Sequence, residues 1–541
     1  MTRPSLSAPL AVPDFRQLWG GFVASNLGTM VQSVGAGWLM VSIARSDDMV
    51  ALVQSAATLP VMLFSIVAGA IADSFDRRRV LLIAQLFMMI NAVLLTVVVT
   101  SGQITPWLLL GSLFLAGCGT ALHAPSWQAS VGDVVPRDVI PAAVTLNGMA
   151  VNLTRSVGPA VGGVVVAAAG AGAAFALNAV SFVPMVWALL RWKPAPAPAS
   201  LPREDFGRAI WAGLRYVSMS PNLLTVIFRG FVFGLVAIAI LALLPIVARD
   251  RLQGGAVTFG LLLAAFGIGA IAGGFANARM RARFSNETVV RLAFLGVAIS
   301  AGLVAVSRET WATCLFLLPA GASWVLALSL FNTVVQLSTP RWVLGRTLSI
   351  YQTASFGGMT AGGWLWGTIA EGHGLPVALT IAGVVALAGA AMGLRFALPD
   401  QVALNLDPLN HFKEPDLQLE LQPRSGPIMI LIEYEIAQAD VQAFLDAMSQ
   451  RRRIRIRDGA QHWVLLRDLE NPDLWKEAYH VPTWVEYVRH NHRRTQADAD
   501  INARLLALNK SGNKPGVRRM IERDTVPLRD DMAIKSYPEL P

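Results

Sequence analysis

The chain has 541 residues, 54% hydrophobic and only 15% charged, with a mean hydropathy of +0.51, whereas a soluble domain averages about 25% charged residues; a chain soluble throughout is excluded. Residues 1–399 hold 24 Lys and Arg against 13 Asp and Glu, while residues 400–541 hold 20 against 22. The basic residues of the first part lie in short gaps between apolar runs, which argues against nucleic acid as a partner, and the two cysteines, Cys118 and Cys314, exclude a disulfide scaffold.

A hydrocarbon core about 30 Å thick needs about 20 apolar residues per helix. Residues 1–399 contain twelve such runs, near 17–43, 50–72, 80–100, 106–132, 140–168, 171–192, 222–248, 257–279, 288–306, 311–338, 346–370 and 374–397. The first is too long, too late and too poor in cleavage-site residues to be a signal peptide. With a cytoplasmic N-terminus, eighteen basic residues of the loops fall on the inner side and four on the outer side, the bias that sets orientation. An even number of spans returns residues 400–541 to the cytoplasm.

A shift of 204 residues superimposes two landmarks. Gly69-Ala-Ile-Ala-Asp73-Ser-Phe-Asp76-Arg77-Arg78-Arg79 falls on Gly273-Gly-Phe-Ala-Asn277-Ala-Arg279-Met-Arg281-Ala-Arg283, and Pro136-Arg137 falls on Pro340-Arg341. Gly158 and Gly163 fall on Gly362 and Gly367. The chain therefore reads as two six-helix halves of parallel topology, 1–192 and 222–399, around a midplane site. Segment 193–221 joins them: Lys193-Pro-Ala-Pro-Ala-Pro is a stiff spacer, and 204–219 an amphipathic helix.

These residues carry a family resemblance. Gly69, Asp73, Arg77 and Arg78 resemble the cytoplasmic signature of the major facilitator superfamily, with Asp76 in place of its second glycine, as in the enterobactin-exporter-like branch. Gly158, Pro159, Gly162 and Gly163 resemble the fifth-helix signature of that superfamily's exporters. The resemblance covers residues 15–397. It implies the major facilitator fold, a small-molecule substrate, the inner membrane of a bacterium, and export of siderophore-like or drug-like molecules without a bound cofactor. The fourth-helix arginine of many proton-coupled members is missing.

Candidate residues follow from charge at depth. Arg155 lies in the middle of the fifth run, where an arginine costs about 3 kcal/mol unless it faces protein or water. It is the candidate substrate contact for an anionic or catecholate-like ligand, and a bond to carbonyls or Asn152 is its structural alternative. Asn26, Gln32, Asn332 and Gln336 offer hydrogen bonds on spans 1 and 10, which the resemblance places against the cavity. His123 and Asp133 are the candidates for proton coupling, although a buried neutral histidine and an Asp133–Arg137 pair explain them as well. Asp73 with Arg77–Arg79 forms a candidate latch. Arg229, two turns into span 7, reads as a snorkelling side chain. Trp38, Trp127, Trp324, Trp364 and Trp366 can stack an aromatic substrate or anchor the interface.

After a polar linker, 400–425, the pattern changes. Residues 428–436 read as a strand, 439–450 as a helix, 451–457 as a charge-alternating segment that strand periodicity or an anionic lipid surface explains, 462–469 as a strand, 473–492 mostly as a helix, 498–509 as a helix and 517–523 as a strand. The order suggests a ferredoxin-like α+β domain over 426–541. Asp458-Gly459-Ala460, Trp463, Trp484 and His490-x-His492-Arg493 resemble the dimeric α+β barrels of the antibiotic-biosynthesis-monooxygenase type, which implies a homodimer through this domain. His490 and His492, two apart on a helix, point to different sides, so no metal site is expected. The alternative function is a membrane-anchored sensor or oxygenase with its activity in this domain.

Overall fold

The computed structural model describes residues 7–522 apart from 137–138, 194–205, 341, 399–405, 407–408, 410–411, 413 and 511–514. The linker spacer, the Arg137 pairing and the Arg341 half of the repeat lie outside the described residues, as does the side chain of Asp73. The chain divides into two compact units. One holds residues 1–206, 222–335 and 348–401; the other gathers 207–221, 336–347 and 402–541.

The first unit is helical. Six helices, α1 (Pro13–Ile43), α2 (Asp47–Ser74), α3 (Arg77–Thr100), α4 (Pro106–Val134), α5 (Ile140–Ser181) and α6 (Val183–Arg191), precede the short α7 (Phe206–Ser218) of the second unit. Then come α8 (Pro221–Ile246), α9 (Ala256–Arg283), α10 (Asn286–Val306), α11 (Thr310–Leu337), α12 (Leu344–His373) and α13 (Leu375–Ala391). Among the described residues nine stretches are long and apolar enough to cross a membrane, which makes the chain a multi-pass membrane protein. The longest, Ala142–Arg191, spans 50 residues. Gly170 breaks it with φ 78°, ψ 173°, a left-handed conformation that glycine adopts without a Cβ clash.

The boundaries have local causes. Asp76 caps α3 through its side chain, which accepts from the backbone N–H of Arg78 and Arg79. Thr105 caps α4 on Leu108 and Ser285 caps α10 on Thr288. Pro106 stands in the first turn of α4, where its missing N–H costs nothing.

The 204-residue repeat is written into contacts. Arg77 Nη1 donates to the Ala129 carbonyl at 3.2 Å, and 204 residues later Arg281 Nη1 donates to Thr333 Oγ1 at 3.5 Å; both bonds span 52 residues. In the first half Arg77 also pairs with Asp133 at 2.7 Å. Leu337 stands 204 residues after Asp133, so the second half has no such carboxylate. Asn277 instead donates to Ser329 at 2.9 Å.

Arg229 differs from its expected role. It is fully buried, and its Nη1 donates to both Glu287 oxygens at 3.1 and 2.9 Å and to the Phe396 carbonyl at 3.0 Å. Glu287 also accepts from Arg291 and from the backbone N–H of Leu398. A carboxylate from the first turn of α10 thus holds the cation inside the protein, and no snorkelling to the interface occurs.

The second unit contains a four-stranded antiparallel sheet in the order β2-β3-β1-β4, from β1 (Ile428–Glu435), β2 (Gln461–Arg467), β3 (Leu474–Val481) and β4 (Gly516–Ile521). Helix α14 (Val441–Asp458) connects β1 to β2, and α15 (Trp484–His492) with α16 (Gln496–Leu508) connects β3 to β4. Alternate residues of β1 are buried, and Ile428, Ile430, Ile432 and Tyr434 join Phe444, Tyr479, Tyr487, Val488 and Leu505 in one core. Two expectations are corrected here. Residues 451–457 are helical, the last turns of α14, and 474–481 form a strand where a helix was read. Residues 207–221 and 336–347 pack with this domain. Arg215 Nε donates to the Arg457 carbonyl at 3.3 Å, and the Arg493 guanidinium lies 4.4 Å from the centre of the Trp342 ring.

Candidate transport cavity

The helical unit encloses a cavity of about 220 Å³ lined from both halves: Met30, Ser33 and Gly37 on α1, Val50, Val53 and Gln54 on α2, Arg155 and Pro159 on α5, Leu241, Ala242 and Pro245 on α8, Phe259, Leu263 and Phe266 on α9, and Trp324 on α11. The walls are apolar and aromatic, with Phe266 edge-on to Trp324 at 5.9 Å between ring centres. Arg155 is the only ionisable side chain among the lining residues. Among the described residues its guanidinium has no carboxylate within ion-pair distance and no recorded hydrogen bond. A cation held in an apolar wall without a countercharge attracts an anion far more strongly than the same cation in water.

Helix α2, which lines this cavity, is tied by polar contacts to the later helices. Arg249 Nη2 pairs with Asp47 at 2.8 Å, and the Asp47 backbone N–H donates to Glu371 at 2.5 Å. Nearer the cavity, Ser55 Oγ donates to the Thr360 carbonyl at 2.8 Å, and the Thr58 and Thr360 hydroxyls are 2.9 Å apart. Beside these, α5 and α9 cross backbone to backbone. A Cβ added at Gly163 would stand 2.9 Å from the Gly260 Cα, and one at Gly260 would stand 2.7 Å from the Gly163 Cα. Only glycine fits either position.

The remaining candidates are dispersed. Gln32 is buried and its side-chain carbonyl accepts from Asn178 at 2.5 Å. Asn26 donates to the Phe22 carbonyl one turn back at 2.8 Å. Asn332 is half-buried on α11, and Gln336 is exposed at its end. His123 lies beside the Phe22 and Trp127 rings, which stack on each other at 4.8 Å, with its own ring centre 6.5 and 6.4 Å from theirs, and its buried Nε2 has no partner among the described residues. Asp133 meets Arg77 in the ion pair already described, and Arg78 donates to the Leu189 and Leu190 carbonyls at 2.8 Å. Gly158 faces Met30, and Gly162 faces Val31 and Val34, which packs α5 tightly on α1. Trp366 donates to the Leu235 carbonyl at 2.7 Å, and Trp364 is exposed on the outside of the unit. Ser33 and Gln54 were missed by sequence reasoning, although a glutamine inside the second apolar run was a visible signal.

A bundle of long apolar helices, duplicated at a constant interval and closing on a cavity lined by both copies, defines a membrane protein of the major facilitator class. The chain belongs to the transmembrane secretion effector family, whose profile matches residues 4–526. It is 24% identical over 248 residues to the staphyloferrin A transporter of Staphylococcus aureus, a match covering 45% of this chain and 62% of that one. It is 21% identical over 269 residues to macrolide efflux protein A of Streptococcus pyogenes, covering 48% of this chain and 65% of that one. Both matches span less than two thirds of the relative. The enterobactin exporter EntS of Salmonella choleraesuis is 27% identical over 312 residues, covering 56% of this chain and 72% of the exporter. Among solved structures, a POT family transporter in complex with 5-aminolevulinic acid superposes with a TM-score of 0.58 at 14% identity, over 71% of this chain and 95% of that one. A bacterial homologue of the lysosomal transporter Spinster, inward-facing and occupied, superposes with a TM-score of 0.56 at 14% identity, over 71% and 96%. These likenesses show the fold.

Proposed function

We propose that this chain exports small amphipathic organic molecules, siderophore-like or drug-like and carrying negative charge, by alternating access between two six-helix halves. The observation that carries the reading is Arg155, a cation with no carboxylate partner among the described residues, in an apolar, aromatic cavity lined from both the early and the late helices. The names of the relatives, siderophore exporters and efflux pumps, support the direction of flux. Twelve spans follow if α1 and α12 cross the bilayer with the nine apolar stretches and if Ala142–Arg191 counts twice, broken at Gly170. The basic loops support both termini on the cytoplasmic side of a bacterial inner membrane; in this reading the end bearing Asp47 and Arg249 is sealed and faces outward. The βαββααβ order of the described elements between 428 and 521 supports a ferredoxin-like domain over 426–541, on the cytoplasmic side.

Coupling is to protons, with Asp133 as the exchanging carboxylate. Its side chain is 35% exposed and its partner Arg77 33% exposed, so the pair can open to water, whereas His123 has its Nε2 buried beside the stacked Phe22 and Trp127 rings. The test is flux in everted vesicles with pH clamped on both sides. Arg155→Gln should abolish export of an anionic substrate and Arg155→Lys should retain part of it; unchanged export by Arg155→Gln would overturn the reading. Asp133→Asn should uncouple export from the pH gradient.

A further inference from the structure

The α+β domain holds a cavity of its own. It measures about 500 Å³ and lies between the buried face of the sheet and helices α14, α15 and α16. Four arginines line it: Arg451 and Arg455 from α14, Arg494 just after α15, and Arg519 from β4. Three tyrosines, Tyr434, Tyr479 and Tyr487, and the apolar side chains Ile430, Ile432, Leu505 and Val517 complete the wall.

Among the described residues the charge there does not balance. Glu477 takes Arg451 at 2.8 Å and Arg455 at 3.0 Å, and Arg519 Nε donates to the Tyr487 hydroxyl at 2.7 Å. Arg494 has no carboxylate within ion-pair distance among the described residues. Arg455 is only 3% exposed, and its buried Nη2 has no partner among the described residues. A buried guanidinium nitrogen left without an acceptor costs free energy that any suitable acceptor recovers. Burial and the neighbouring Arg455 charge push the Arg494 guanidinium down to about 10, a direction that an anion beside it would reverse. Flat rings and branched aliphatic walls take an apolar plane, and planar guanidinium groups take the two oxygens of a carboxylate.

We infer that this cavity is a ligand site for an aromatic carboxylate, seated with its ring among Tyr434, Tyr479 and Ile432 and its carboxylate on Arg455 and Arg494. Its size suits a single drug-sized molecule. The site stands apart from the Arg155 cavity and does not depend on the transport reading.

The experiment is photolabelling of the full chain in detergent micelles with 4-benzoylbenzoate, with the labelled peptides located by mass spectrometry. Label is expected within 428–519, displaced by 2-naphthoate and at least tenfold less by its neutral isostere 2-naphthamide. Arg494→Gln should lower this labelling at least tenfold, while its melting temperature stays level or rises because no ion pair is broken; Arg494→Lys should restore part of the labelling. Label confined to peptides around Arg155 would overturn the inference and leave the transport reading standing. Equal displacement by naphthoate and naphthamide on the unaltered protein, or full labelling of Arg494→Gln, would overturn it as well.

Discussion

Glu477 is the electrostatic keystone of the α+β domain, and neutralising it is the most quantitative perturbation the structure offers. The carboxylate is fully buried. It accepts from Arg451, Arg455, the Tyr434 hydroxyl at 2.9 Å and the Trp463 indole at 3.1 Å. Burial alone would raise its pKa, but the charges of Arg455 and Arg451 and the bonds from Trp463 and Arg451 outweigh burial and bring it from 4.5 down to about 2. Each pH unit between those values is about 1.4 kcal/mol, so the ionised form contributes about 3 kcal/mol to the folded domain. Because the folded value lies below the unfolded one, this contribution is complete above about pH 4.5 and disappears as pH falls toward 2. Glu477→Gln removes the countercharge and strands two guanidinium groups, a loss of about 3–5 kcal/mol for a broken buried pair. Hydrogen exchange of the full chain, read on peptides covering β1, α14 and β3, should quicken on the order of a hundredfold or more in the variant, with helical-unit peptides unchanged. Exchange within tenfold of the parent, or domain stability that stays flat between pH 4.5 and 3, would refute the reasoning.

Other outcomes follow from the helical unit. Asp47→Asn removes a partly exposed pair worth about 0.5–1 kcal/mol, so a cysteine placed at Ser33, in a background with Cys118 and Cys314 replaced by serine, should react two- to fivefold faster with an impermeant maleimide added from the sealed end. Unchanged reactivity would show that the pair does not hold that end shut. Glu287→Gln should destabilise α8–α10 by about 3 kcal/mol, visible as a lower melting temperature in micelles, and Arg229→Met with Glu287→Gln should recover part of that loss. Deleting 426–541 should leave flux measurable; a complete loss of flux, together with a catalytic activity in the undeleted protein, would favour the domain as the working part.

The helical bundle was legible because a membrane demands long apolar runs, and because the duplicated Gly69 and Gly273 segments announced a repeat before any contact was known. What escaped was long-range pairing of polar groups. Arg229 looked like a snorkelling residue since its partner Glu287 stands 58 positions away. In Arg451-Arg-Arg-Ile-Arg-Ile-Arg457 the alternation of the last residues hid the decisive spacing. Arg451 and Arg455 are one helical turn apart and reach the same carboxylate. Residues 474–481 carry Lys, Glu and Ala, good helix formers, but pairing with β1 on one edge and β2 on the other overrides propensity. Arg155 was singled out by its depth in an apolar run, whereas Phe259, Phe266 and Gln54, which line the same cavity, come from separate helices, and nothing local in the sequence marks them as neighbours.

The contact of Gly163 with Gly260 has a mechanical consequence. Two main chains that touch without intervening side chains make a pivot of small radius: α5 and α9 can roll across one another at little cost, because no rotamers need rearranging, while sliding along either axis would drive each glycine into a neighbour's Cβ. Rocking of the halves is thereby the low-energy motion, and vertical travel of one half past the other is barred by steric bulk on both sides of a single point.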